Sequence, residues 1–455
     1  MLIDLIYPAS TSGSHNYSSE PPLGPIALYS SLPEEYRKNV RFLDSTIMQQ
    51  SEIERNVEQR KAEIVAISCT TYNYPNALKV AEIAKEHHAH VICGGIHITH
   101  CRDAILGKMQ KGERPIDFLV TGYGEPALTP IITALINKST FENIPNLSYI
   151  LNGKIIINTL ENKKSGCDIL SIPMNYELID FKAYSSYFKP QGRLSNVTMV
   201  GSTYTQRGCA YAGKQKCSFC SIEQINLMRS PELFGQDLIT LISKGVDHVR
   251  ITDADFTKDI KHMEKITNMA SKVFEETGKR SIFHCFARAD EITPQKIDIL
   301  KRLNAVSLMI GYESGSDTML STMNKHLTRQ DNLQGTRLLK DSGIEVINGG
   351  LVLGAEGETE ATLAETMDFL KELKQINNTT TMVATPLIPL PGSTCFKKLL
   401  QKYPYLKSKD VFNIRELVEL WNHYFCDVSL NRLIEICAEI EKIYTIGICL
   451  VDFKK

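Results

Sequence analysis

Two long stretches of this chain alternate short apolar runs with amphipathic helical patterns, and this alternation limits the fold more than any other feature. The runs of the first stretch are LIDLIYP, VRFLD, EIVAIS, HVICGG and FLVTG. Helical patterns separate them, for example over residues 51–60 and 74–86. Strands that alternate with helices favour a parallel, doubly wound sheet, because a helix returns the chain between parallel strands. The sequence therefore predicts an α/β domain over residues 1–140.

The second stretch, residues 196–395, repeats the alternation. Its apolar runs are VTMVGST, HVRITDADF, SIFHCFARAD, AVSLMIGYESGS, EVINGGLVLGAEGET and TTMVATPLIPLPGS. Helical patterns such as residues 263–276 and 331–342 separate these runs. Six such units predict a partial parallel (β/α)6 barrel, in which active residues gather at the carboxyl ends of the strands.

The remaining segments connect or cap these two domains. Residues 141–195 are predicted to be a connector with a hairpin that turns at Asn152 and Gly153, a strong hairpin signal. Residues 396–455 show helical patterns over 412–424 and 430–446. These helices are interpreted either as a lid over the substrate side of the barrel or as a pair that packs on its open edge, and the two interpretations are compatible.

Composition narrows the class of protein. The chain has 455 residues and a net charge of −1, so no basic excess indicates a nucleic acid partner. No apolar run reaches the ~18 residues that a membrane span needs, and the first run lacks the basic flank of a signal peptide. The 12 cysteines are scattered and mostly lie in apolar runs. We therefore expect a cytoplasmic protein in a reducing compartment.

Three cysteines, Cys209, Cys217 and Cys220, follow an apolar run, with seven and then two residues between them. Three thiolates from one loop can hold three irons of a [4Fe-4S] cluster and leave the fourth iron open. The loop could also supply half of a structural zinc site, which needs four ligands, although Cys167 and His248 lack ligand-like pairing with it. A purely structural role is a third possibility. The loop by itself leaves these alternatives open.

The wider sequence around this loop carries a resemblance. The series RGC, CSFC, DADF, FARAD, GYESGSD, GGLVLGAEGET and PLPGS, in this order, resembles a radical S-adenosylmethionine core. The resemblance implies a [4Fe-4S] cluster on the three cysteines and reductive cleavage of S-adenosylmethionine. The first cysteine gap is longer than the three residues usual in that family. We expect the four extra residues to bulge away from the cluster. Lys214 and Lys216 make this bulge basic, and they are interpreted either as solvated lysines, which is the favoured interpretation, or as substrate contacts.

Polar residues and one glycine are expected at the strand ends of the barrel: Asp253, Asp255, Arg288, Glu313, Ser314, Asn348 and Gly350. By resemblance, Arg288 would pair with the methionyl carboxylate, Glu313 with the amino group or ribose, and Asp255 with the ribose or amino group. Phe219 would lie near the adenine or pack in the core. Ser314 and Gly350 complete the predicted cofactor site.

The first domain carries a second resemblance. The series PPLGP, FLDST, AISCTT, CGGIH and TGYGEP resembles the cobalamin-binding domain of cobalamin-dependent radical S-adenosylmethionine enzymes. Ligands of doubly wound sheets bind beyond the carboxyl ends of the strands. The expected cofactor contacts there are Ser68, Thr70, Gly94, Gly95, Gly122 and Glu125, although the glycines could simply make tight turns. The stretch from Asp44 to Met48 lacks the histidine of an Asp-x-His-x-x-Gly motif, so no lower axial ligand is assigned.

The resemblance therefore implies a Rossmann-like cobalamin-binding-type domain, a partial (β/α)6 radical S-adenosylmethionine barrel and a C-terminal helical segment. It implies a cobalamin-dependent methyltransferase that acts on a small molecule or a peptide and takes electrons from a reductant such as flavodoxin or ferredoxin. Two alternatives are kept. One is a different radical outcome (carbon–carbon bond formation, cyclisation or aminocarboxypropyl transfer), with or without cobalamin. The other is a zinc-binding structural α/β protein.

Overall fold

The computed structural model describes residues 1–11, 20–158, 169–186, 196–222, 226–376, 379 and 381–444. The chain divides into two compact units. The first unit comprises Met1–Phe188 and Pro404–Phe412, and the second comprises Lys189–Tyr403 and Asn413–Lys455. The finer division at residues 140, 195 and 395 stays a prediction.

The first unit contains seven strands and seven α-helices among its described residues. The strands are β1 (Ile3–Tyr7), β2 (Val40–Asp44), β3 (Ile64–Ser68), β4 (His90–Gly94), β5 (Phe118–Val120), β6 (Leu147–Leu151) and β7 (Lys154–Ile157). The helices are α1 (Leu23–Ser31), α2 (Glu34–Arg37), α3 (Gln50–Arg60), α4 (Tyr74–Glu86), α5 (Ile96–Gln110), α6 (Glu125–Asn137) and α7 (Phe181–Ser185).

These strands form one sheet in the order β2-β1-β3-β4-β5-β6-β7, in which β1 to β5 are parallel. Strands β1 and β3 are almost wholly buried, as expected for parallel strands that are covered on both faces. Their charged exception is Asp4, whose carboxylate is held by Arg41 at 2.8 Å and Arg60 at 2.7 Å. The predicted doubly wound sheet is confirmed.

The predicted hairpin at Asn152 and Gly153 is also present. Strands β6 and β7 pair antiparallel on either side of these two residues. Both have positive φ, 50° and 75°, which is the conformation that a two-residue type I′ turn requires.

The second unit contains eight strands and nine α-helices among its described residues. The strands are β8 (Val200–Thr203), β9 (Gln206–Arg207), β10 (Leu227–Met228), β11 (His248–Ile251), β12 (Ile282–Ala287), β13 (Ala305–Glu313), β14 (Glu345–Leu353) and β15 (Met382–Pro386). The helices are α8 (Pro231–Ser243), α9 (Ile260–Thr277), α10 (Pro294–Leu303), α11 (Asp317–Thr322), α12 (Arg329–Ser342), α13 (Glu360–Ile376), α14 (Thr394–Lys402), α15 (Ile414–Phe425) and α16 (Leu430–Ile443).

Six of these strands form a parallel sheet in the order β15-β14-β13-β12-β11-β8, so successive strands of this sheet are neighbours. This is the partial (β/α)6 arrangement that the sequence predicts. Local signals fix the helix ends. Thr328 and Asp331 form a capping box at the start of α12, and Gly343, with a φ of 77°, ends it.

The C-terminal helices pack against the second unit. Trp421 of α15 is buried, and its Nε1 donates a hydrogen bond to the Gly354 carbonyl at 2.9 Å, just after β14. Helix α16 lies against β15, which is an edge strand. This packing is the edge-covering interpretation of the sequence, while the lid interpretation stays a prediction, and residues 445–455 lie outside the described residues. None of the described helices is long and apolar enough to cross a bilayer.

Candidate active site

The three cysteines lie on a loop that leaves β8 through the short strand β9. Cys209, Cys217 and Cys220 are free and half-buried. A backbone hydrogen bond from the Cys220 N–H to the Cys217 carbonyl at 3.1 Å places the last two cysteines on one tight turn. Hydrogen bonds of Ser218 with the Met323 carbonyl (2.9 Å) and the Cys395 N–H (3.0 Å) hold the loop from both sides.

Around two of the thiols, burial raises the thiol pKa, whereas nearby cations and an N–H donor lower it. Burial raises the pKa of the Cys217 thiol to about 11, while the nearby Lys325 and Arg288 cations act in the opposite direction. Burial also raises the pKa of Cys220, but the Ile222 N–H lies 3.4 Å from its sulfur and favours the thiolate. Positive charge and N–H donors are the surroundings that stabilise thiolate ligands.

The chemistry of the donor set, three free thiols on one loop beside these cations, fits an iron–sulfur cluster. A cluster would have to draw the three thiols together, because they are not grouped as metal ligands in this structure. No three His, Cys, Asp or Glu side chains of the described residues are grouped so that they could hold a metal ion. Of the candidates for a fourth zinc ligand, Cys167 lies outside the described residues. His248 lies on β11 and is buried.

Two acidic residues follow β11, as predicted, and their carboxylates differ. Asp253 accepts hydrogen bonds from the Thr205 N–H (2.7 Å), the Gln206 N–H (3.1 Å) and the Thr205 hydroxyl. Asp255 accepts two hydrogen bonds from Thr257 through Oδ1 only. Its Oδ2 is buried and has no hydrogen-bond partner. An unpaired buried carboxylate oxygen is costly, so Asp255 is suited to accept from a ligand.

Arg288 follows β12, as predicted, and is buried. Its Nε and Nη2 donate to the Asp290 carboxylate, each at 3.0 Å, and Nη2 also donates to the Lys325 carbonyl at 2.6 Å. The planar fork that was expected to bind a carboxylate is therefore engaged by Asp290. Nη1 has no hydrogen-bond partner among the described residues and is therefore the donor that remains for a ligand.

Glu313 ends β13 in an unusual conformation. Its φ is 63°, which is costly for a residue with a Cβ. Its carboxylate accepts a hydrogen bond from the buried Lys325 ammonium at 2.8 Å. A Cβ at Gly311 would collide with that carboxylate, so a larger residue there would displace the Glu313 side chain. The left-handed backbone places the Glu313 side chain beside Lys325. Against the effect of burial, the Lys325 cation also lowers the pKa of Cys217.

Ser314 directly follows β13, as predicted, whereas Gly350 does not lie at a strand end. The Ser314 hydroxyl lies 3.0 Å from the Thr366 hydroxyl and accepts from the Ser316 N–H at 3.1 Å, so it is engaged within the fold. Gly350, like Asn348, lies inside β14 and not at its carboxyl end, because this strand continues to Leu353. Apolar residues 351–353 extend the strand beyond the glycine pair that was interpreted as its end.

The long cysteine gap is held to the barrel and is not a free bulge. Lys214 is exposed, as expected. Lys216 is not free in solvent, because its Nζ donates to the Gly392 carbonyl at 2.9 Å and its carbonyl accepts from Asn324 at 2.8 Å. Phe219 is half-buried, and its place near an adenine stays a prediction.

Sequence reasoning missed three residues of this region: Lys325, Lys258 and Tyr211. The Tyr211 hydroxyl accepts from Lys258 Nζ at 2.8 Å, and its ring lies 4.1 Å from the centre of the Arg288 guanidinium. The one available signal was that Tyr211 is the only aromatic residue within the long cysteine gap. Nothing in the pattern around Lys258 or Lys325 indicates their positions.

In the first unit, the predicted contacts lie at the ends of β3, β4 and β5. Gly95 has a φ of 99°, and a Cβ there would lie 2.6 Å from the Cys69 carbonyl, so this glycine makes a tight turn. Gly122 also has positive φ, but a Cβ there would meet no atom within 4 Å, and a Cβ at Gly94 would make ordinary contacts. Thr70 is bonded to Asn73 at the start of α4. Of the remaining two, Ser68 ends β3 and is half-buried, and Glu125 starts α6 and is buried.

The stretch after β2 agrees with the absence of an axial histidine. Thr46 occupies the position of that histidine, and it donates to Asp44 through its N–H (2.9 Å) and its hydroxyl (2.7 Å). Tyr184 of α7 donates a further hydrogen bond to Asp44. This aspartate is used inside the unit.

A partial parallel barrel with three free thiols on the loop after its first strand defines a class of iron–sulfur enzymes, here joined to a doubly wound unit. Sequence profiles agree. The profile of the "Radical SAM superfamily" matches residues 203–370, and the profile of the "B12 binding domain" matches residues 17–132. The chain belongs to the family of radical S-adenosylmethionine enzymes that carry a B12-binding domain. The predicted cofactors, a [4Fe-4S] cluster, S-adenosylmethionine and cobalamin, are those of these two domain families.

Two relatives are similar over most of this chain. An uncharacterized methyltransferase of Pyrococcus horikoshii is 25% identical over 85% of this chain and 81% of its own length. An anaerobic magnesium-protoporphyrin IX monomethyl ester cyclase of Cereibacter sphaeroides is 24% identical over 80% of this chain. The match spans 59% of that cyclase.

Two solved structures share the fold. The radical S-adenosylmethionine methyltransferase TsrM from Kitasatospora setae, with cobalamin and a [4Fe-4S] cluster bound, has a TM-score of 0.65 and 16% identity, covering 88% of this chain and 78% of TsrM. The cobalamin-dependent radical enzyme OxsB, with aqua-cobalamin and S-adenosylmethionine bound, has a TM-score of 0.71 and 15% identity, covering 97% of this chain and 67% of OxsB. At these identities the similarity is one of fold.

Proposed function

We propose that this enzyme is a cobalamin-dependent methyltransferase that acts on a small molecule or a peptide. The observation that carries the proposal is the combination of the two domains in one chain with the similarity to a methyltransferase along 85% of it. When bound, the cluster and S-adenosylmethionine supply one-electron chemistry, and cobalamin supplies a methyl carrier. The protein binds these groups, orients them and excludes water.

In this proposal Cys209, Cys217 and Cys220 hold the cluster. Support comes from their free thiols and from the cations beside Cys217, which favour the thiolate form that metal ligation requires. A reductant such as flavodoxin or ferredoxin delivers the electron, since the enzyme class requires a reductant.

Three strand-end side chains bind S-adenosylmethionine in this proposal. Asp255 accepts a hydrogen bond from the ribose or the amino group through Oδ2, which lacks a partner in the protein. Arg288 donates to the methionyl carboxylate through Nη1, while Asp290 holds the rest of its fork in place. Glu313 accepts from the amino group or ribose through Oε2, because Oε1 is bonded to a lysine.

In the first unit we propose that the corrinoid lies at the ends of β3, β4 and β5. Open space around Gly122 supports this position, because a bulky ligand needs close approach to the backbone. Ser68, Thr70, Gly94 and Glu125 lie at the same edge, while Gly95 shapes the turn that leads into α5.

The cluster ligands are tested by changing each of Cys209, Cys217 and Cys220 to Ala and measuring iron, sulfide and S-adenosylmethionine cleavage under anaerobic conditions. Each variant is expected to lose the brown colour and the cleavage activity. Cys395→Ala is the matched control, because this free thiol is buried next to the same loop and is not a proposed ligand. Retained cleavage in a loop variant would exclude that cysteine as a ligand.

The corrinoid is tested separately by reconstitution with hydroxocobalamin followed by gel filtration. The corrinoid should elute with the protein. Gly122→Leu should weaken its retention, because a side chain would fill the open space there, and it should also lower the melting temperature of the unit, because φ is positive at this position. Free elution of the corrinoid from the wild-type protein would show that the first unit binds something else.

Ring formation is a second candidate function, favoured by the similarity to the cyclase over 80% of this chain. A cyclase would consume S-adenosylmethionine without transferring a methyl group to its product. Mass analysis of the product therefore separates the two functions.

A further inference from the structure

The long gap between Cys209 and Cys217 contains one buried side chain, that of Tyr211. Residues Gly213–Gln215 form an exposed 3-10 turn. The extra length of the loop thus inserts a single aromatic residue into the barrel and leaves a turn at the surface.

The Tyr211 side chain contacts residues from two strand ends. Its hydroxyl accepts from Lys258 Nζ at 2.8 Å, on the segment after β11. The same hydroxyl donates to Glu291 Oε1 at 2.7 Å, on the segment after β12. Lys258 also donates to Glu291 at 2.7 Å, which closes a triangle of hydrogen bonds around the phenol oxygen.

The ring of Tyr211 stacks with the guanidinium of Arg288 at 4.1 Å. The Lys258 ammonium lies 4.4 Å from the same ring. Desolvated cation–π pairs are stronger than exposed ones, and Arg288 is 5% exposed. Asp290 and the Lys325 carbonyl hold the edge of this guanidinium, and Tyr211 holds its face.

We propose that Tyr211 is a positioning residue that fixes Arg288 relative to the cysteine loop and so orients S-adenosylmethionine. The inference rests on the proposed function, in which Nη1 of Arg288 binds the methionyl carboxylate. A planar guanidinium held on its edge and on its face keeps one direction for its remaining donor. The long cysteine gap is then the segment that couples the cluster loop to the nucleotide-binding strand ends.

The test compares Tyr211→Leu, Tyr211→Phe and the wild type after anaerobic reconstitution. Iron and sulfide content, the dissociation constant for S-adenosylmethionine by equilibrium dialysis, and the change in the electron paramagnetic resonance spectrum on adding it are measured. Tyr211→Leu should keep full iron content but bind S-adenosylmethionine about tenfold more weakly. Tyr211→Phe keeps the stacked ring but loses the hydrogen bonds of the hydroxyl, so it should bind about threefold more weakly than the wild type.

Tyr424→Leu is the matched control. Tyr424 pairs with Lys402 in the same way, with 2.9 Å to its hydroxyl and 4.2 Å to its ring, but on the surface between α14 and α15. Its loss should leave the dissociation constant unchanged. If Tyr211→Leu does not fold, Lys258→Met replaces it and should weaken binding about threefold by releasing the phenol.

Two results would overturn the inference. One is a wild-type dissociation constant in Tyr211→Leu, or in Lys258→Met where that variant replaces it. The other is a loss of iron that accounts for all lost binding, because a purely structural residue would behave in that way. The proposed function fails by a different result, namely that the wild type itself does not bind S-adenosylmethionine.

Discussion

Asp253 and Asp255 lie two residues apart after β11, but their surroundings give them different tasks. Every oxygen of Asp253 is bonded within the fold, whereas Asp255 has one buried oxygen without a partner. Burial raises the pKa of Asp253 to about 6, and that of Asp255 is raised as well, also by burial. The first carboxylate therefore shapes the loop, and the second is available to a ligand.

Asp255→Asn is expected to weaken S-adenosylmethionine binding about tenfold, because a charge-assisted hydrogen bond to the ligand is lost. Its melting temperature should stay close to that of the wild type. Asp253→Asn should show the reverse pattern, with a lower melting temperature and nearly unchanged affinity of the folded protein. Equilibrium dialysis and thermal unfolding measure the two quantities, and an exchange of the two patterns would contradict these assignments.

The buried pair of Glu313 and Lys325 gives a prediction about stability. Lys325→Met should lower the free energy of unfolding of the protein without cofactors by about 3 kcal/mol, because it leaves the Glu313 carboxylate buried and unpaired. Glu313→Gln combined with Lys325→Met should recover most of that loss, because no unpaired charge remains. Urea unfolding measures both variants. A double variant no more stable than Lys325→Met would contradict this explanation, because the loss would then come from the packing of the Lys325 side chain and not from an unpaired Glu313 charge.

At the scale of elements, the segment Pro404–Phe412 belongs to the first unit although α14 and α15, on either side of it, belong to the second. Its Asp410 is the anchor. The Asp410 carboxylate accepts two hydrogen bonds from Arg114, at 2.6 and 2.8 Å, and Tyr74 donates to it at 3.4 Å. The Asp410 carbonyl accepts from the buried His97 ring at 2.8 Å, and the Tyr74 ring packs against that ring with the two planes tilted by 32°.

This anchor should weaken in acid. Burial lowers the pKa of His97 to about 4, below its usual 6.5, so the folded protein binds fewer protons there than the unfolded chain. The neutral ring therefore contributes stability that is fully present above about pH 6.5 and is lost as the pH falls toward 4. About 1.4 kcal/mol should be lost by pH 5.5.

His97→Gln tests this prediction, because an amide can still donate to the Asp410 carbonyl but does not titrate. The difference in unfolding free energy between wild type and variant should shrink by about 1.4 kcal/mol between pH 7.5 and pH 5.5. Chemical denaturation of both proteins at the two pH values measures it. A constant difference would mean that the pKa of His97 is the same in the folded and the unfolded protein, which contradicts the prediction.

The elements themselves were predictable from the sequence, but several partners were not. Apolar runs and caps predict the parallel strands because strand and helix periodicity is local. The return of residues 404–412 to the first unit depends on Asp410 meeting Arg114, a contact between positions far apart in the chain. Likewise, only the tertiary structure brings Lys325 and Tyr211 to the site, and no local pattern indicates it. Gly350 lies inside β14 because a glycine pair need not end a strand. Chain order indicates which strand end a residue follows, but not which atoms around it are already bonded.

At the scale of the whole molecule, two domain types are joined in one chain, one matched by the B12-binding profile and one by the radical S-adenosylmethionine profile. Family membership defines the enzyme class, and the proposal adds methyl transfer. Among the three products that S-adenosylmethionine can give, S-adenosylhomocysteine reports methyl donation, deoxyadenosine reports hydrogen abstraction, and methylthioadenosine reports aminocarboxypropyl transfer. Each outcome of the radical chemistry therefore has its own product.

The most direct measurement is the identity of the nucleoside products after anaerobic incubation of the reconstituted enzyme with S-adenosylmethionine and a chemical reductant, with and without hydroxocobalamin. We expect S-adenosylhomocysteine that depends on added cobalamin, and its absence from the Cys217→Ala variant. Methylthioadenosine as the main product, or S-adenosylhomocysteine formed equally without cobalamin, would contradict a cobalamin-dependent methyl transfer.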